Sequence, residues 1–207
     1  MNAQTQRLLL QGAAGPIEVL RDEPSAAAMG TAVIAHPHPL FGGTMDNKVV
    51  QTLARAFVQA GWRSVRFNFR GVGASAGVHD EGRGETEDMR AVVQAVAPEG
   101  PIALAGFSFG AFVASRVLEG LWAGRDVRKV VLVGTAASRF AVATIPVEAH
   151  DRLLVVHGEQ DDTVALSAVL DWARPQSVPV TVVPGVGHFF HGQLPLLKSL
   201  VARHLRS

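Results

Sequence analysis

Short runs of apolar residues alternate with longer amphipathic segments along most of the chain. Most of the runs are rich in β-branched residues and apolar at consecutive positions, which is typical of strands buried on both faces of a sheet. They lie at 31–35, 64–69, 102–107, 129–134, 153–156 and 180–183. The amphipathic segments predict helices near 47–60, 85–97, 109–120, 164–173 and 193–205.

The N-terminal part has a different pattern. Two short strands, near 8–11 and 17–20, flank a turn of small residues and predict an antiparallel hairpin. The later alternation of strands and helices predicts βαβ units, and so a mostly parallel sheet with helices on both faces. Because no repeat, low-complexity stretch or polar linker interrupts the pattern, we predict a single α/β domain over residues 1–207.

Composition narrows the class of protein. A chain of 207 residues with 48% hydrophobic and 18% charged residues can bury a core, which excludes disorder. A net charge of +1 argues against a nucleic-acid partner. The absence of cysteine excludes disulfides and thiolate nucleophiles.

No stretch suits a secretory signal or a membrane span, so we expect a cytoplasmic protein without membrane contact. The low charged fraction permits a homodimer.

The pentapeptide Gly106-Phe107-Ser108-Phe109-Gly110 joins an apolar run to a helical segment. A G-x-S-x-G pattern is weak evidence by itself in a chain with 21 glycines. Its place between a strand and a helix makes it specific, because a tight turn there lifts the serine hydroxyl clear of the sheet. The sequence therefore predicts Ser108 as a nucleophile.

A serine hydroxyl needs a base and an orienting acid, so such side chains should follow later strands. Glu159, Asp161 and Asp162 follow one apolar run, and His188 follows the next. Each group thus lies at the carboxyl end of a different strand, where ligands bind in parallel sheets. Asp161 is the predicted acid, since the turn needs a few residues before a side chain points back toward His188. Asp162 is the alternative.

The chain has eight histidines, and two pairs have spacings that zinc accepts. These pairs are His36 with His38, and His188 with His191. A metal mechanism would not require the serine and acid at the strand ends, so we predict no metal and no cofactor. His188 is the predicted base because a Gly-Val-Gly segment lets its loop present the ring. His157, at a strand end, is predicted to be structural.

The tetrahedral intermediate of acyl transfer also needs N–H donors, usually two. The residue after the nucleophile, Phe109, is expected to supply one. The other is expected from the loop after the run at 31–35, where two prolines have no N–H to offer. Leu40, directly before a Phe-Gly-Gly turn, is the predicted donor, and His38 is the alternative.

Five segments together resemble the α/β-hydrolase superfamily. They are HPHPLFGGT at 36–44, NFRGVGAS at 68–75, GFSFG at 106–110, HGEQD at 157–161 and GVGHFF at 185–190. The resemblance covers nearly the whole chain and is strongest to a small, lidless bacterial branch of predicted hydrolases near the dienelactone-hydrolase-like proteins. It implies a three-layer α/β-hydrolase fold. It also implies roles for Ser108 as nucleophile, Asp161 as acid, His188 as base, and Phe109 and Leu40 as oxyanion donors.

The connection between the runs at 129–134 and 153–156 is short, so we expect no substantial cap over the site. An open pocket would follow, with His38, Phe41, Phe189 and Phe190 as candidate lining residues. The sequence shows no evident cationic clamp for a phosphorylated or strongly acidic substrate.

These features together predict a serine hydrolase that cleaves a small, fairly apolar carboxylic ester through an acyl-enzyme. The expected partner is a small-molecule substrate. A thioesterase or peptidase with the same triad is the alternative enzyme. A catalytically silent hydrolase fold that binds a ligand is the alternative from another class.

Overall fold

A computed structural model describes residues 5–207. Within that range the strands are β1 (Gln6–Gly12), β2 (Gly15–Asp22), β3 (Thr31–Ala35), β4 (Arg63–Phe67), β5 (Ile102–Phe107), β6 (Val127–Val133), β7 (Leu153–Gly158) and β8 (Val180–Val183). The helices are α1 (Lys48–Gln59), α2 (Arg83–Val96), α3 (Phe109–Leu121), α4 (Leu166–Ala173) and α5 (Leu194–Arg206). Short 3-10 helices lie at Pro39–Phe41, Val147–Arg152 and Arg174–Gln176.

All these strands belong to one sheet, in the order β1-β2-β4-β3-β5-β6-β7-β8. β1 and β2 form an antiparallel hairpin, and β2 is also antiparallel to β4. The six strands from β3 to β8 are parallel to one another. The predicted mostly parallel sheet with an N-terminal antiparallel hairpin is confirmed. Its parallel strands end along one edge, where the candidate residues lie.

Helices cover both faces of the sheet and complete three layers. α1 and α5 pack on one face around Phe57 and Leu197. α2, α3 and α4 pack on the other around Met89, Val113 and Val169. Because both faces are covered, most of the parallel strands are apolar at consecutive positions rather than at alternate ones. None of the helices in residues 5–207 is long and apolar enough to cross a membrane.

β4 ends at Phe67, two residues before the end of the apolar run that predicts it. The N–H of Phe69 donates to His36 Nε2 at 3.0 Å, and His36 Nδ1 donates to the carbonyl of Pro37 at 2.6 Å. Only a neutral imidazole can accept at one nitrogen while it donates at the other. The fully buried His36 ring therefore joins the ends of β3 and β4 in its uncharged form.

This arrangement predicts a loss of stability in acid. Burial lowers the pKa of His36 from 6.5 to about 4. Between these pH values His36 is therefore protonated in the unfolded chain and neutral in the folded chain. The free energy of unfolding is unaffected by this group above pH 6.5 and falls as the pH is lowered toward 4. Over this range the total loss is about 3 kcal/mol, since each pH unit costs about 1.4 kcal/mol. Urea unfolding of wild type and His36→Gln at pH 7 and pH 4.5 measures it.

The free energy of unfolding of His36→Gln should fall less between these pH values than that of wild type. Glutamine keeps a donor and an acceptor but does not titrate. The exposed His191 offers a matched control, and His191→Gln should follow the wild-type profile. Equal pH dependence in wild type and His36→Gln would show that His36 is not the group responsible.

Candidate active site

Ser108 lies between β5 and α3 with φ 58° and ψ −117°. A residue other than glycine in this conformation is strained, at a cost of about 1–3 kcal/mol. Its N–H donates to the carbonyl of Val133 at 2.8 Å, which holds the turn against β6. A Cβ at Gly106 would overlap the backbone of Gly110, and one at Gly110 would overlap the carbonyl of Ala35. The two glycines therefore leave the room that this tight turn requires.

His188 bridges Ser108 and Asp161. The hydroxyl of Ser108 lies 3.0 Å from His188 Nε2, and His188 Nδ1 lies 2.6 Å from Asp161 Oδ2. Since a carboxylate only accepts, Nδ1 carries the proton and Nε2 is left to accept from the serine hydroxyl. The three residues are at most 7% exposed, so water competes little for these hydrogen bonds. The structure thus brings the predicted nucleophile, base and acid into one hydrogen-bonded chain.

The carboxylate of Asp161 is held by backbone groups as well as by the histidine. Its Oδ1 accepts from the N–H of Thr163 at 3.0 Å and of Val164 at 2.7 Å. Burial alone would raise the pKa of Asp161, but the hydrogen bonds from His188 and Val164 outweigh it and lower the pKa below 3.8. These contacts also explain why α4 begins at Leu166 rather than at 164.

Asp162, the alternative acid, points elsewhere. It is exposed, and its Oδ1 accepts from the hydroxyl of Thr163 at 3.3 Å. The turn after β7 therefore directs the first of the two aspartates to His188 and leaves the second in solvent.

The backbone N–H groups near Ser108 bear on the predicted oxyanion donors. The N–H of Leu40, the predicted second donor, donates to His38 Nδ1 at 3.2 Å, and Leu40 does not line the Ser108 pocket. The N–H groups of Phe109 and His38 make no hydrogen bond to any residue in 5–207. Phe109 begins α3, where a backbone N–H lacks a partner in the helix. Both residues line the pocket with Ser108, so they are the available donors.

A pocket of about 330 Å³ opens at Ser108. Three of the four predicted lining residues, His38, Phe41 and Phe189, are among its walls. Phe190 is wrong as a lining residue: it is fully buried in the core that packs against α1 and α5. Its φ of 53° turns the chain, so the two consecutive phenylalanines point to opposite sides. Phe189 is left 43% exposed at the pocket.

Two residues that line the pocket lie outside the sequence motifs described above. Arg139 and Phe140 lie in the connection between β6 and β7, which folds back beside Ser108. Phe140 stacks on Phe112 of α3, with ring centroids 4.8 Å apart. An arginine and a phenylalanine in a short loop carry no periodic signal, so only the folded chain reveals their place.

The remaining histidines near the site have structural contacts. His157 is fully buried, and its Nε2 donates to the carbonyl of Val164 at 2.9 Å, as expected of a structural residue. The pKa of His38 is lowered chiefly by burial, with further contributions from the charges of His79 and Arg139. Across residues 5–207, no three histidine or carboxylate side chains cluster as metal ligands would.

A family model described as serine aminopeptidase, S33, matches residues 40–149, which is just over half of the chain. The matched segment contains Ser108 but ends before Asp161 and His188. An uncharacterised protein of Rickettsia prowazekii is 36% identical over 116 residues, which cover 54% of this chain. The chain matches about half (49%) of the length of that curated relative.

Two solved structures are similar over almost the entire chain. One is an α/β serine hydrolase without lid from Xanthomonas campestris, 36% identical, with a TM-score of 0.88 over 100% of this chain and 95% of that one. The other is an α-β serine hydrolase homologue from Coxiella burnetii, 40% identical, with a TM-score of 0.83 over 97% of both chains. This chain and the two solved structures therefore share both sequence identity and architecture, as members of one family do.

Proposed function

The chain belongs to the α/β serine hydrolases, and from this premise we propose that it cleaves small, fairly apolar carboxylic esters through an acyl-enzyme intermediate. The observation that carries the proposal is the hydrogen-bonded chain from Ser108 through His188 to Asp161, with distances of 3.0 and 2.6 Å. This geometry supports three roles: Ser108 is the nucleophile, His188 is the general base, and Asp161 orients the histidine ring.

In the first half of the reaction, Ser108 Oγ attacks the carbonyl carbon of the ester, and its proton moves to His188 Nε2. The carbonyl oxygen becomes an oxyanion, which the N–H groups of Phe109 and His38 stabilise. The C–O bond to the alcohol then breaks, and the leaving oxygen takes the proton from His188. The ionised Asp161 stabilises the imidazolium that exists between these steps.

In the second half, water attacks the acyl-serine and gives its proton to His188 Nε2. The tetrahedral intermediate uses the same two N–H donors, and its collapse returns the proton to Ser108 Oγ. The products are a carboxylic acid and the free enzyme. Every proton transfer in this scheme is between groups of the protein, the substrate and water.

The walls of the pocket support a small, apolar acyl group. Its apolar lining residues are Phe41, Phe109, Ala136, Phe140, Val164 and Phe189. A volume of about 330 Å³ is at the lower end of the range for small-molecule sites. The connection between β6 and β7 adds walls to the pocket but no helical cap, which leaves the site open to solvent.

The charge in the pocket favours an ester over an N-terminal peptide. An aminopeptidase must hold the ammonium group of its substrate, which calls for a carboxylate near the nucleophile. The described residues that line the Ser108 pocket include no aspartate or glutamate, and they include Arg139. A cation beside the acyl site disfavours an ammonium group, so the ester remains the leading substrate class.

A fluorophosphonate probe and a substrate panel test the proposal. The probe should modify one residue, Ser108, as located by mass spectrometry of the digested protein. The panel compares p-nitrophenyl acetate with acyl thioesters and aminoacyl amides of similar size, and kcat/KM should be highest for the ester. Release of p-nitrophenol should show a burst equal to the enzyme concentration if the acyl-enzyme accumulates.

The outcomes separate the candidate functions. Higher kcat/KM on thioesters or on aminoacyl amides would replace the ester by that substrate class while keeping the mechanism. A folded protein that neither reacts with the probe nor turns over any member of the panel would favour the catalytically silent alternative and overturn the proposal.

A further inference from the structure

A second cavity adjoins the Ser108 pocket. This groove has a volume of about 850 Å³ and runs along α2 and α3. It shares four lining residues with the pocket, namely His38, Phe41, Arg139 and Phe140, so the two spaces adjoin. The groove therefore begins beside the Ser108 pocket.

The groove differs from the pocket in its charge. Four arginines line it, and they come from α2, α3 and the connection between β6 and β7: Arg83, Arg90, Arg116 and Arg139. They lie at scattered positions in the sequence, which is why no cationic clamp is evident before the chain folds.

Carboxylates neutralise only some of these arginines. Glu81, Glu87 and Glu119 also line the groove. Arg83 pairs with Asp80 at 2.8 Å, Arg116 lies 3.6 Å from Glu119, and Glu87 lies 3.5 Å from Arg70 outside the groove.

Two of the groove arginines form no ion pair with a described residue. Arg90 and Arg139 have no carboxylate within 4.0 Å among residues 5–207. Of the three groove carboxylates, Glu81 alone has no cation within that distance in the same range. The lining side chains are four arginines and three glutamates, so the lining itself carries one net positive charge.

The two unpaired arginines mark the two ends of the groove. Arg139 lies at the junction with the pocket, its guanidinium 5.9 Å from the centre of the Phe41 ring. Arg90 lies against the far end of α3, where a Cβ at Gly120 would overlap its guanidinium. Because Ser108 precedes α3 and a helix rises about 1.5 Å per residue, Arg90 lies on the order of 15–18 Å from the nucleophile.

We propose that this groove binds an anionic group, phosphate or carboxylate, on the leaving portion of the substrate while the acyl group occupies the Ser108 pocket. The proposal rests on the proposed hydrolase function and refines its substrate class: the acyl group is small and apolar, and the leaving portion carries the negative charge. The leaving portion is an extended chain that places its negative charge about 10–18 Å from the scissile carbonyl, between Arg139 and Arg90. The Arg116 guanidinium, midway along α3, lies beside this path.

Three butyrate esters of tetraethylene glycol test the proposal. They differ only in the distal end, which is a methyl ether, a carboxylate or a phosphate. At low ionic strength, kcat/KM should be about tenfold higher for an anionic ester than for the methyl ether, and the ratio should shrink as salt is added. A preference shared by both anions assigns a general anion site, and a preference for phosphate alone narrows the substrate to phosphorylated leaving groups.

Variants identify the residues responsible. In Arg90→Gln combined with Arg139→Gln, the ratio of kcat/KM between anionic and neutral ester should fall to about one. The exposed Arg203 of α5 lies away from the groove, so Arg203→Gln should keep the wild-type ratio and activity. A wild-type ratio near one, or a ratio that survives the double substitution, would overturn the proposal while leaving ester hydrolysis intact.

A binding measurement keeps this test separate from the hydrolase function. The butyl ether of tetraethylene glycol monophosphate has no scissile bond, and its binding can be followed by titration calorimetry. Binding to wild type but not to the double variant would support the groove even if no ester is cleaved. Absence of binding together with absence of turnover would overturn both proposals.

Discussion

Ser108→Ala should abolish covalent labelling by the fluorophosphonate and lower kcat for p-nitrophenyl acetate by about 10⁴–10⁶-fold. The reason is geometric: Ser108 Oγ is the atom that lies 3.0 Å from His188 Nε2, and the methyl group of alanine can neither attack nor donate a proton. The residual rate should stay above that in buffer, since the oxyanion donors and the pocket remain. Steady-state kinetics and intact-protein mass spectrometry measure both effects.

The turn that carries Ser108 adds a second readout. Only glycine adopts φ 58° and ψ −117° without strain, so Ser108→Gly should be more stable than Ser108→Ala by about 1 kcal/mol. Both variants should be inactive. Ser167→Ala, an exposed serine on α4, serves as the control and should keep full activity. Turnover in Ser108→Ala equal to that of wild type would eliminate the proposed mechanism.

Asp161→Asn should lower kcat by about 10⁴-fold with little change in the fold. The N–H groups of Thr163 and Val164, at 3.0 and 2.7 Å from Oδ1, should keep the amide oxygen of the asparagine on their side. The NH₂ group must then face His188 Nδ1, which favours the tautomer protonated at Nε2. In that tautomer the histidine cannot accept the proton of Ser108.

Asp162→Asn is the matched control, because the two aspartates are adjacent and only the first contacts His188. Its kcat should stay within about twofold of wild type, as expected for an exposed surface residue. Comparison of kcat in the two variants, with urea unfolding to verify the fold, decides which aspartate serves the histidine. A larger loss of kcat in Asp162→Asn than in Asp161→Asn would reverse the assignment.

Most of the architecture could be predicted because the sheet is covered on both faces. That coverage makes most of the parallel strands continuous apolar runs, and such runs are visible in the sequence. The Ser, Asp and His positions were visible for a related reason: each lies in the loop or turn that follows a strand, and parallel strands end at a common edge. The strand ends thus place Ser108, Asp161 and His188 near one another before any side-chain contact is known.

The structure departs from the predicted site where the arrangement depends on the path of a loop. The Leu40 N–H is one of several in its loop, and a hydrogen bond to His38 Nδ1 decides its direction. Phe189 and Phe190 are chemically identical neighbours, and the φ of 53° at the second sends one ring to the pocket and the other to the core. Loop dihedrals of this kind are set by packing between distant segments, which leaves no periodic signal in the chain.

The sequence by itself therefore determined the sheet, the order of its elements and the identities of the three residues at its carboxyl edge, because local patterns of burial encode all of these. Only the tertiary structure decided which backbone N–H groups beside Ser108 lack a partner among the described residues, the walls of the pocket and the arginine-lined groove. Arg90 and Arg139 are separated by almost fifty positions in the chain and lie in different elements, so their shared groove exists only once α2, α3 and the connection between β6 and β7 have packed together.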